Sequence, residues 1–221
     1  TKTVIVKLKR NKMTKISRKS ELMPASAIRK LVPFADAAKS SGVKVYHLNV
    51  GQPDIKSPEC ALEAVRQNTL DHVSYSNSAG LMELRKGLVE KYYKRIGIDI
   101  EVPELIVTVA GSEGVNLSLQ ITCDEGDEVI VLEPFYTNYN TFAFMNGITL
   151  KAVPTDIRNG FKVPEMSEFE KLITPRTKAI LISNPTIGEH YVHHITNIFR
   201  SLWHEEVSTW FCDDLCRILK R

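Results

Sequence analysis

The chain has 221 residues, 43% hydrophobic and 25% charged, with 11 glycines and 10 prolines, which excludes collagen-like, low-complexity and wholly disordered proteins. No apolar run approaches the roughly 18 residues that a membrane-spanning helix needs, and the basic N-terminus is not followed by the apolar stretch of a secretory signal. The formal net charge is only +3. We therefore expect one globular domain with at most a small addition, and no membrane partner.

The charge is unevenly distributed along the chain. Eight of the 29 basic residues and no acidic residue fall within residues 1–20, so residues 21–221 carry 21 basic and 26 acidic groups. We interpret residues 1–20 as a solvated basic leader and expect no nucleic-acid partner, although a basic tail of this kind can bind nucleic acid. Whether residues 1–12 belong to the natural protein stays open.

The four cysteines are too sparse for a disulfide framework, which predicts a reducing, cytoplasmic setting. They are Cys60, Cys123, Cys212 and Cys216.

The first predicted elements follow an N-terminal arm over residues 21–45, in which prolines interrupt any long helix. Ser57 is predicted to be the N-cap of a helix with a proline in its first position. Apolar spacing predicts a second long helix that Gly97 ends. The predicted elements of this part are helices over 57–68, 81–96 and 113–122 and a strand over 105–109.

Strands and helices also alternate through the second half of the chain. Asn159 and Gly160 give a hairpin-type turn signal, and Ser167 with Glu170 has the spacing of a capping box. The predicted strands cover 128–132, 148–153, 178–183 and 207–212, and the predicted helices cover 136–145 and the region around 195–203.

Strands separated by helices predict an α/β protein with a mostly parallel sheet. The strand over 178–183 is apolar on both faces, as a buried parallel strand should be. The composition changes after Ala179, because no alanine follows it and four of the six histidines lie in the last 35 residues.

Candidate binding residues follow four of the predicted strands. Gly111 and Ser112 open a helix, where backbone N–H groups can approach an anion. An aromatic ring after the next strand, that of Tyr136, can stack on a planar ligand. Asn184 and Asp213 occupy the same position after later strands. Since ligands of open parallel sheets bind beyond the carboxyl ends of the strands, the four positions together indicate one site.

The chain resembles the fold-type I pyridoxal-phosphate aminotransferases of class I/II, the aspartate aminotransferase-like branch, over roughly residues 21–186. The matching segments are Leu48-Asn49-Val50-Gly51-Gln52-Pro53-Asp54, Val73-Ser74-Tyr75, Ala79-Gly80, Leu84-Arg85, Val107-Thr108-Val109-Ala110-Gly111-Ser112, Gly126-Asp127-Glu128-Val129, Glu133-Pro134-Phe135-Tyr136 and Thr177-Lys178-Ala179-Ile180-Leu181-Ile182-Ser183-Asn184-Pro185.

This resemblance implies a three-layer α/β/α large domain over residues 46–221, incomplete at its C-terminus and preceded by the arm. It implies pyridoxal 5'-phosphate as cofactor, an amino acid and a 2-oxo acid as substrates, and a homodimer.

The resemblance also implies a role for each matching residue. Gly51 approaches the substrate carboxylate, and Tyr75 reaches the cofactor phosphate of the neighbouring subunit. The phosphate cup contains Gly111 and Ser112. Three further residues hold the cofactor ring: Tyr136 stacks on it, Asn184 bonds to its hydroxyl, and Asp213 keeps its nitrogen protonated.

The C-terminal part departs from the family pattern. Asn184-Pro185-Thr186-Ile187-Gly188 lacks the second Asn-Pro pair, so either the second asparagine is missing or the loop is shortened. Asp213-Asp214-Leu215-Cys216 replaces Asp-Glu-x-Tyr, which leaves the choice between Asp213 and Asp214 open. Lys220 stands too close to Asp213 to serve as the Schiff-base lysine, so no catalytic residue is assigned.

We therefore expect an aminotransferase by family whose 221 residues do not transaminate: a fragment, a truncated product or a frame-damaged copy. The predicted strand over 105–109 would then lack its neighbour and leave an exposed apolar edge. The alternative function is a lysine-less binding or regulatory protein of the same fold. A zinc site is a further alternative, since His190 and His194 share a four-residue spacing with Cys212 and Cys216; we expect no metal.

Overall fold

The computed structural model of the chain describes residues 15–26, 28–49, 51, 53–183, 208–211 and 216–220, the last two ranges as backbone. The predicted helix around 195–203 and the zinc candidates at its start lie outside these residues. The described residues form seven α-helices: α1 (Arg18–Leu22), α2 (Val32–Ser40), α3 (Glu59–Arg66), α4 (Met82–Gly87), α5 (Ala110–Thr122), α6 (Asn138–Asn146) and α7 (Met166–Glu170). They also form five strands: β1 (Glu128–Leu132), β2 (Thr149–Val153), β3 (Thr177–Ser183), β4 (Ser208–Phe211) and β5 (Cys216–Lys220).

The five strands form one mixed sheet in the order β2-β1-β3-β5-β4. β1 pairs in parallel with both β2 and β3, whereas β5 pairs antiparallel with β3 and with β4. Only β5 therefore runs against the others, and the expected mostly parallel α/β sheet is confirmed. The predicted strand over 207–212 is present as β4, while β5 was not predicted.

Helices cover both faces of β1 and β3. On one face, Val115 and Leu119 of α5 and Tyr139 of α6 pack against alternate residues of β1 and β3. On the other face, Phe169 of α7 packs against the intervening residues of the same strands. Because successive side chains of a strand point to opposite faces, the apolar residues 129–132 of β1 and 179–182 of β3 fill two cores at once. The result is the expected three-layer arrangement.

The predicted helix over 81–96 is confirmed but changes its winding. It begins as α4, continues as a π-helical segment, Leu88–Tyr93, and ends in a 3-10 turn, Lys94–Ile96. Gly97 ends it in the left-handed conformation, with φ 74°. Glycine adopts this conformation without the steric cost of a Cβ, which explains the stop.

Three local predictions are wrong. Pro58, not Ser57, is the N-cap of α3, and no side chain bonds the free amides there. Ser167 lies inside α7, whose N-cap is Glu165. Asn159 and Gly160 end a 3-10 turn rather than join two strands, because the Asp156 carboxylate accepts the Arg158 N–H and stabilises a helical turn.

The predicted strand over 105–109 is also wrong, because in the described part of the chain it enters no ladder. Its backbone is bonded to a preceding segment instead, since the Val107 N–H donates to the Ala79 carbonyl at 3.0 Å. Ile106 and Val109 are 58% and 82% exposed. A strand needs a neighbour to bond its N–H and C=O groups, and none of the described strands lies beside this segment.

The segment before α5 buries far less than the sheet does. Among its described residues, only Arg85, Val89 and Tyr93 are buried, whereas several large apolar side chains, Leu48 and Val73 among them, are almost fully exposed. Pro33 occupies the first turn of α2, which is where a helix tolerates proline. Within the described residues, no helix has the length and apolarity to cross a membrane.

Candidate functional site

The carboxyl edge of the parallel strands collects the candidate residues. α5 leads into β1 through a short turn and packs antiparallel along it, so the N-terminus of α5 lies at the level of the carboxyl end of β1. α6 leaves that end of β1 and returns along the sheet toward β2, so its N-terminus lies at the same edge. The topology thus brings Gly111, Ser112 and Tyr136 to one edge.

The N-terminus of α5 has the donors that an anion needs. The first four N–H groups of an α-helix have no partner within the helix, and the helix dipole adds partial positive charge there. Gly111 is buried in the first turn, while Ser112 beside it is exposed. Amide and hydroxyl donors at a 13-residue helix suit the oxygens of a phosphate group.

The turn into α5 is fixed by its own side chains. The Thr108 hydroxyl donates to the Ala110 carbonyl at 3.0 Å, and the Glu113 carboxylate accepts the Val109 N–H. Ala110 has φ 63°, in the left-handed region that costs a non-glycine residue about 1–2 kcal/mol. Sequence analysis missed Thr108 and Glu113 as the residues that fix this turn, since the spacing of polar residues around Gly111 does not single them out.

The Tyr136 ring lies just after β1 and is 43% exposed. Its hydroxyl accepts a hydrogen bond from the Asn138 amide at 2.7 Å, and its ring meets that of Tyr139 edge to face, with centroids 5.7 Å apart. These contacts fix one end of the ring and leave part of its surface open. The ring is therefore available for stacking on a planar ligand.

Asn184 and Asp213 lie outside the described residues, but the residues that flank them are paired. Ser183, the last residue of β3, stands opposite Cys216, the first of β5. Asn184 follows Ser183 directly, and Asp213 falls in the connection between β4 and β5. That connection starts at the carboxyl end of β4, which runs in the same direction as β3.

Gly51 and Tyr75 are not brought to this edge by any contact that the structure describes. Gly51 is exposed, and a Cβ built on it would meet nothing within 4 Å, so packing does not require glycine there. The Tyr75 side chain is fully exposed. Both residues lie on the exposed surface of the described chain.

The opposite edge of the sheet carries a buried carboxylate. Glu128, at the start of β1, is 2% exposed and accepts hydrogen bonds from the Arg176 guanidinium at 2.5 Å and from the Thr174 hydroxyl at 2.8 Å. Lys151 of β2 adds its charge at 3.7 Å. The hydrogen bonds from Arg176 and Thr174 lower the pKa of Glu128. All of these partners are structural, and no candidate residue is among them.

The described side chains contain no further candidate for a metal site or an activated cysteine at the sheet. In the part of the chain that the structure describes, no group of three His, Cys, Asp or Glu side chains could hold a metal ion. Partial burial raises the pKa of the Cys123 thiol, which lies against the hydroxyl of Thr122. A raised pKa disfavours the thiolate, so this cysteine is not an activated nucleophile.

The fold and the motifs at its carboxyl edge match one known family. The family of class I and II aminotransferases matches residues 43–186. The aspartate/prephenate aminotransferase of Thermus thermophilus is 34% identical over 174 residues, which cover 78% of this chain and 45% of that protein. The aspartate aminotransferase of Geobacillus stearothermophilus is 31% identical over 174 residues, covering 78% and 44%.

Solved structures agree. The aspartate aminotransferase of Thermotoga maritima superposes with a TM-score of 0.75 at 30% identity, over 85% of this chain and 50% of that one. The chain belongs to the class I and II aminotransferase family, whose cofactor is pyridoxal 5'-phosphate. It spans about half the length of the relatives that it matches.

The described residues fit the phosphate end and the ring face of this cofactor. The helix N-terminus and the Ser112 hydroxyl supply donors for a phosphate ester, and the half-open Tyr136 ring supplies a stacking surface.

Proposed function

We propose that this chain supplies the cofactor-phosphate end of a pyridoxal-phosphate-dependent amino-acid aminotransferase, which exchanges an amino group between an amino acid and a 2-oxo acid. The observation that carries the proposal is the joint position of the α5 N-terminus and the Tyr136 ring at the carboxyl edge of the sheet. Because its relatives are named aspartate and aspartate/prephenate aminotransferases, we propose an acidic amino acid as donor and a place in amino-acid metabolism.

Each candidate residue has one task in this proposal. The N–H groups at Gly111 and Ser112 and the Ser112 hydroxyl hold the phosphate, and Tyr136 orients the ring by stacking. Asn184 bonds to the ring hydroxyl, and Asp213 holds the proton on the ring nitrogen. When bound, the cofactor supplies an electron sink for the bond broken at the amino acid's α-carbon. The pairing of Ser183 with Cys216 supports a common location for Asn184 and Asp213.

Two further tasks concern a second copy and the substrate. We propose that Gly51 lets the substrate carboxylate approach the backbone, and that Tyr75 reaches the phosphate bound by a partner subunit. The full exposure of Tyr75, with that of Leu48 and Val73 nearby in sequence, supports a surface that another subunit covers in a homodimer. The molar mass of the purified chain by light scattering tests this: a monomer at all concentrations would contradict it.

We further propose that residues 1–221 alone do not transaminate, because no residue among them matches the lysine that the family binds covalently to the cofactor. The alternative is a lysine-less protein of this fold that binds the cofactor for a regulatory purpose. The two predict the same binding. They differ when a polypeptide that carries the family's lysine segment is added: only the enzyme fragment should then gain aminotransferase activity.

Binding of pyridoxal 5'-phosphate and of inorganic phosphate, measured by calorimetry, tests the phosphate site. Ser112→Ala removes one hydroxyl donor and should weaken both ligands by about tenfold, the size of one hydrogen bond to a charged group. Ser167→Ala is the matched control, because Ser167 is exposed on α7 on the other face of the sheet. If the unmodified chain binds neither ligand, the proposal is wrong.

The cytoplasmic setting that the cysteine content indicates stays a proposal. Fractionation of cells that express the protein natively would test it.

A further inference from the structure

Two residues of the matching motifs, Gly80 and Arg85, have no task in the proposed function. Gly80 precedes α4 and Arg85 lies within it, and both contact the segment 102–107, which residues 108–109 join to α5. Because this segment has no neighbouring strand among the described residues, these contacts take the place of a ladder in holding it.

Arg85 is unusually buried for an arginine. It is 7% exposed, its Nη2 donates to the Val102 carbonyl at 2.7 Å, and its Nε has no hydrogen-bond partner among the described residues. It forms no ion pair with them either. Burying a guanidinium without a carboxylate is costly. The hydrogen bond from Arg85 to the Val102 carbonyl compensates part of this cost and joins α4 to the turn Val102–Glu104.

Gly80 contacts the same segment further along. Its φ of +96° lies in the left-handed region, and a Cβ built on it would stand 2.6 Å from the Cβ and 2.7 Å from the Cγ2 of Val107. The neighbouring Ala79 carbonyl accepts the Val107 N–H at 3.0 Å. Only glycine permits both the backbone conformation and this close approach.

The segment 102–107 is close in sequence to the phosphate site at the start of α5. Val107 directly precedes Thr108, whose hydroxyl donates to the Ala110 carbonyl in the first turn of that helix. A shift of Val107 would therefore move the N–H groups at Gly111 and Ser112.

We infer that Gly80 and Arg85 are positioning residues for the phosphate-holding N-terminus of α5, acting through the segment 102–107. This inference rests on the proposed function of that helix end. It assigns no contact between either residue and the cofactor.

The test measures binding of pyridoxal 5'-phosphate and of inorganic phosphate to Arg85→Met and Gly80→Ala in the full chain. Residues that act on a ligand without touching it change affinity by about two- to thirtyfold, and we expect a loss within that range for both ligands. Arg85→Lys keeps the charge and a donor and should recover part of the loss. Hydrogen exchange should accelerate at residues 107–112 in both main variants.

The matched control is Arg176→Met. Arg176 binds Glu128 at the opposite edge of the sheet, so this variant should lose stability without losing affinity. If Arg176→Met weakens the ligands as much as Arg85→Met does, the effect is general destabilisation and the inference is wrong. Should Arg85→Met fail to fold, Gly80→Ala and Arg85→Lys decide by the same comparison.

The results separate this inference from the proposed function. Weaker binding by Ser112→Ala with unchanged binding by Arg85→Met and Gly80→Ala would overturn the inference alone. No binding by the unmodified chain would overturn both.

Discussion

The polar groups at the two ends of β1 differ in burial and in hydrogen bonding. At its amino end, Glu128 is 2% exposed and bonded to Arg176 and Thr174, so the polar groups satisfy one another. At its carboxyl end, the Tyr136 ring stays 43% exposed and the helix amides of α5 face the same edge. Polar groups near one strand therefore stabilise the fold where they bond to one another; under the proposed function, they form a ligand site where they remain exposed.

The largest loss of stability should come from a substitution in the core that lies between the two ends of β1. Phe169→Ala removes a ring that is 1% exposed and packed under β1 and β3, and should lower the free energy of unfolding by about 3–5 kcal/mol. Urea denaturation measures this. Ile157→Ala, at a position 72% exposed, should change it by no more than about 0.5 kcal/mol. Equal losses would contradict the burial pattern.

A smaller loss of stability, which depends on pH, should come from Glu128 at the amino end of β1. Because the pKa of Glu128 is lowered in the folded state, its carboxylate stabilises the protein fully above the pKa that the unfolded chain has, about 4.3. The contribution is lost as the pH falls through the lower folded pKa. Glu128→Gln should therefore be less stable than the unmodified chain at neutral pH, with the difference shrinking in acid.

Denaturant unfolding at several pH values between neutral and acid measures this difference. Asp54→Asn is a control at an exposed carboxylate. A difference between Glu128→Gln and the unmodified chain that stays constant with pH would show that the carboxylate does not carry the stabilisation.

The smallest effect should be a change in ligand affinity at the carboxyl end of β1. Under the proposed function, Tyr136→Leu removes the stacking ring and should weaken pyridoxal 5'-phosphate by about two- to tenfold, the value of one aromatic contact. Inorganic phosphate, which has no ring, should bind unchanged. Tyr136→Phe keeps the ring and loses only the bond from Asn138, so it should bind nearly normally. Calorimetry with both ligands separates these cases, and equal loss of both would contradict stacking.

The elements that could be predicted are those with a strong local signal. β1 and β3 each contain four consecutive buried apolar residues, 129–132 and 179–182, and α6 ends at Gly147, whose φ is 69°. The predicted strand over 105–109 has an equally apolar pattern and forms no strand. Its failure has a physical reason, since a strand depends on hydrogen bonds to a partner that is distant in sequence.

The candidate site divides in the same way. Glycine, serine and tyrosine after strand ends were enough to nominate Gly111, Ser112 and Tyr136, because parallel strands bring their carboxyl ends to one edge. Only the tertiary structure identifies the residues that fix the start of α5. Thr108 and Glu113 fix the turn into the helix, and Gly80 and Arg85 contact the segment before that turn. Their importance lies in close contacts between residues that no spacing rule brings together.

By itself, the sequence determined the class of fold, the two-sided burial of the central strands and the family, because periodicity and short motifs are local properties of the chain. The tertiary structure decided which apolar segment becomes a strand, which carboxylate is buried, and which arginine braces the entrance to α5. Those outcomes depend on which groups meet across long stretches of sequence, and hence on packing and on the pairing of buried polar atoms.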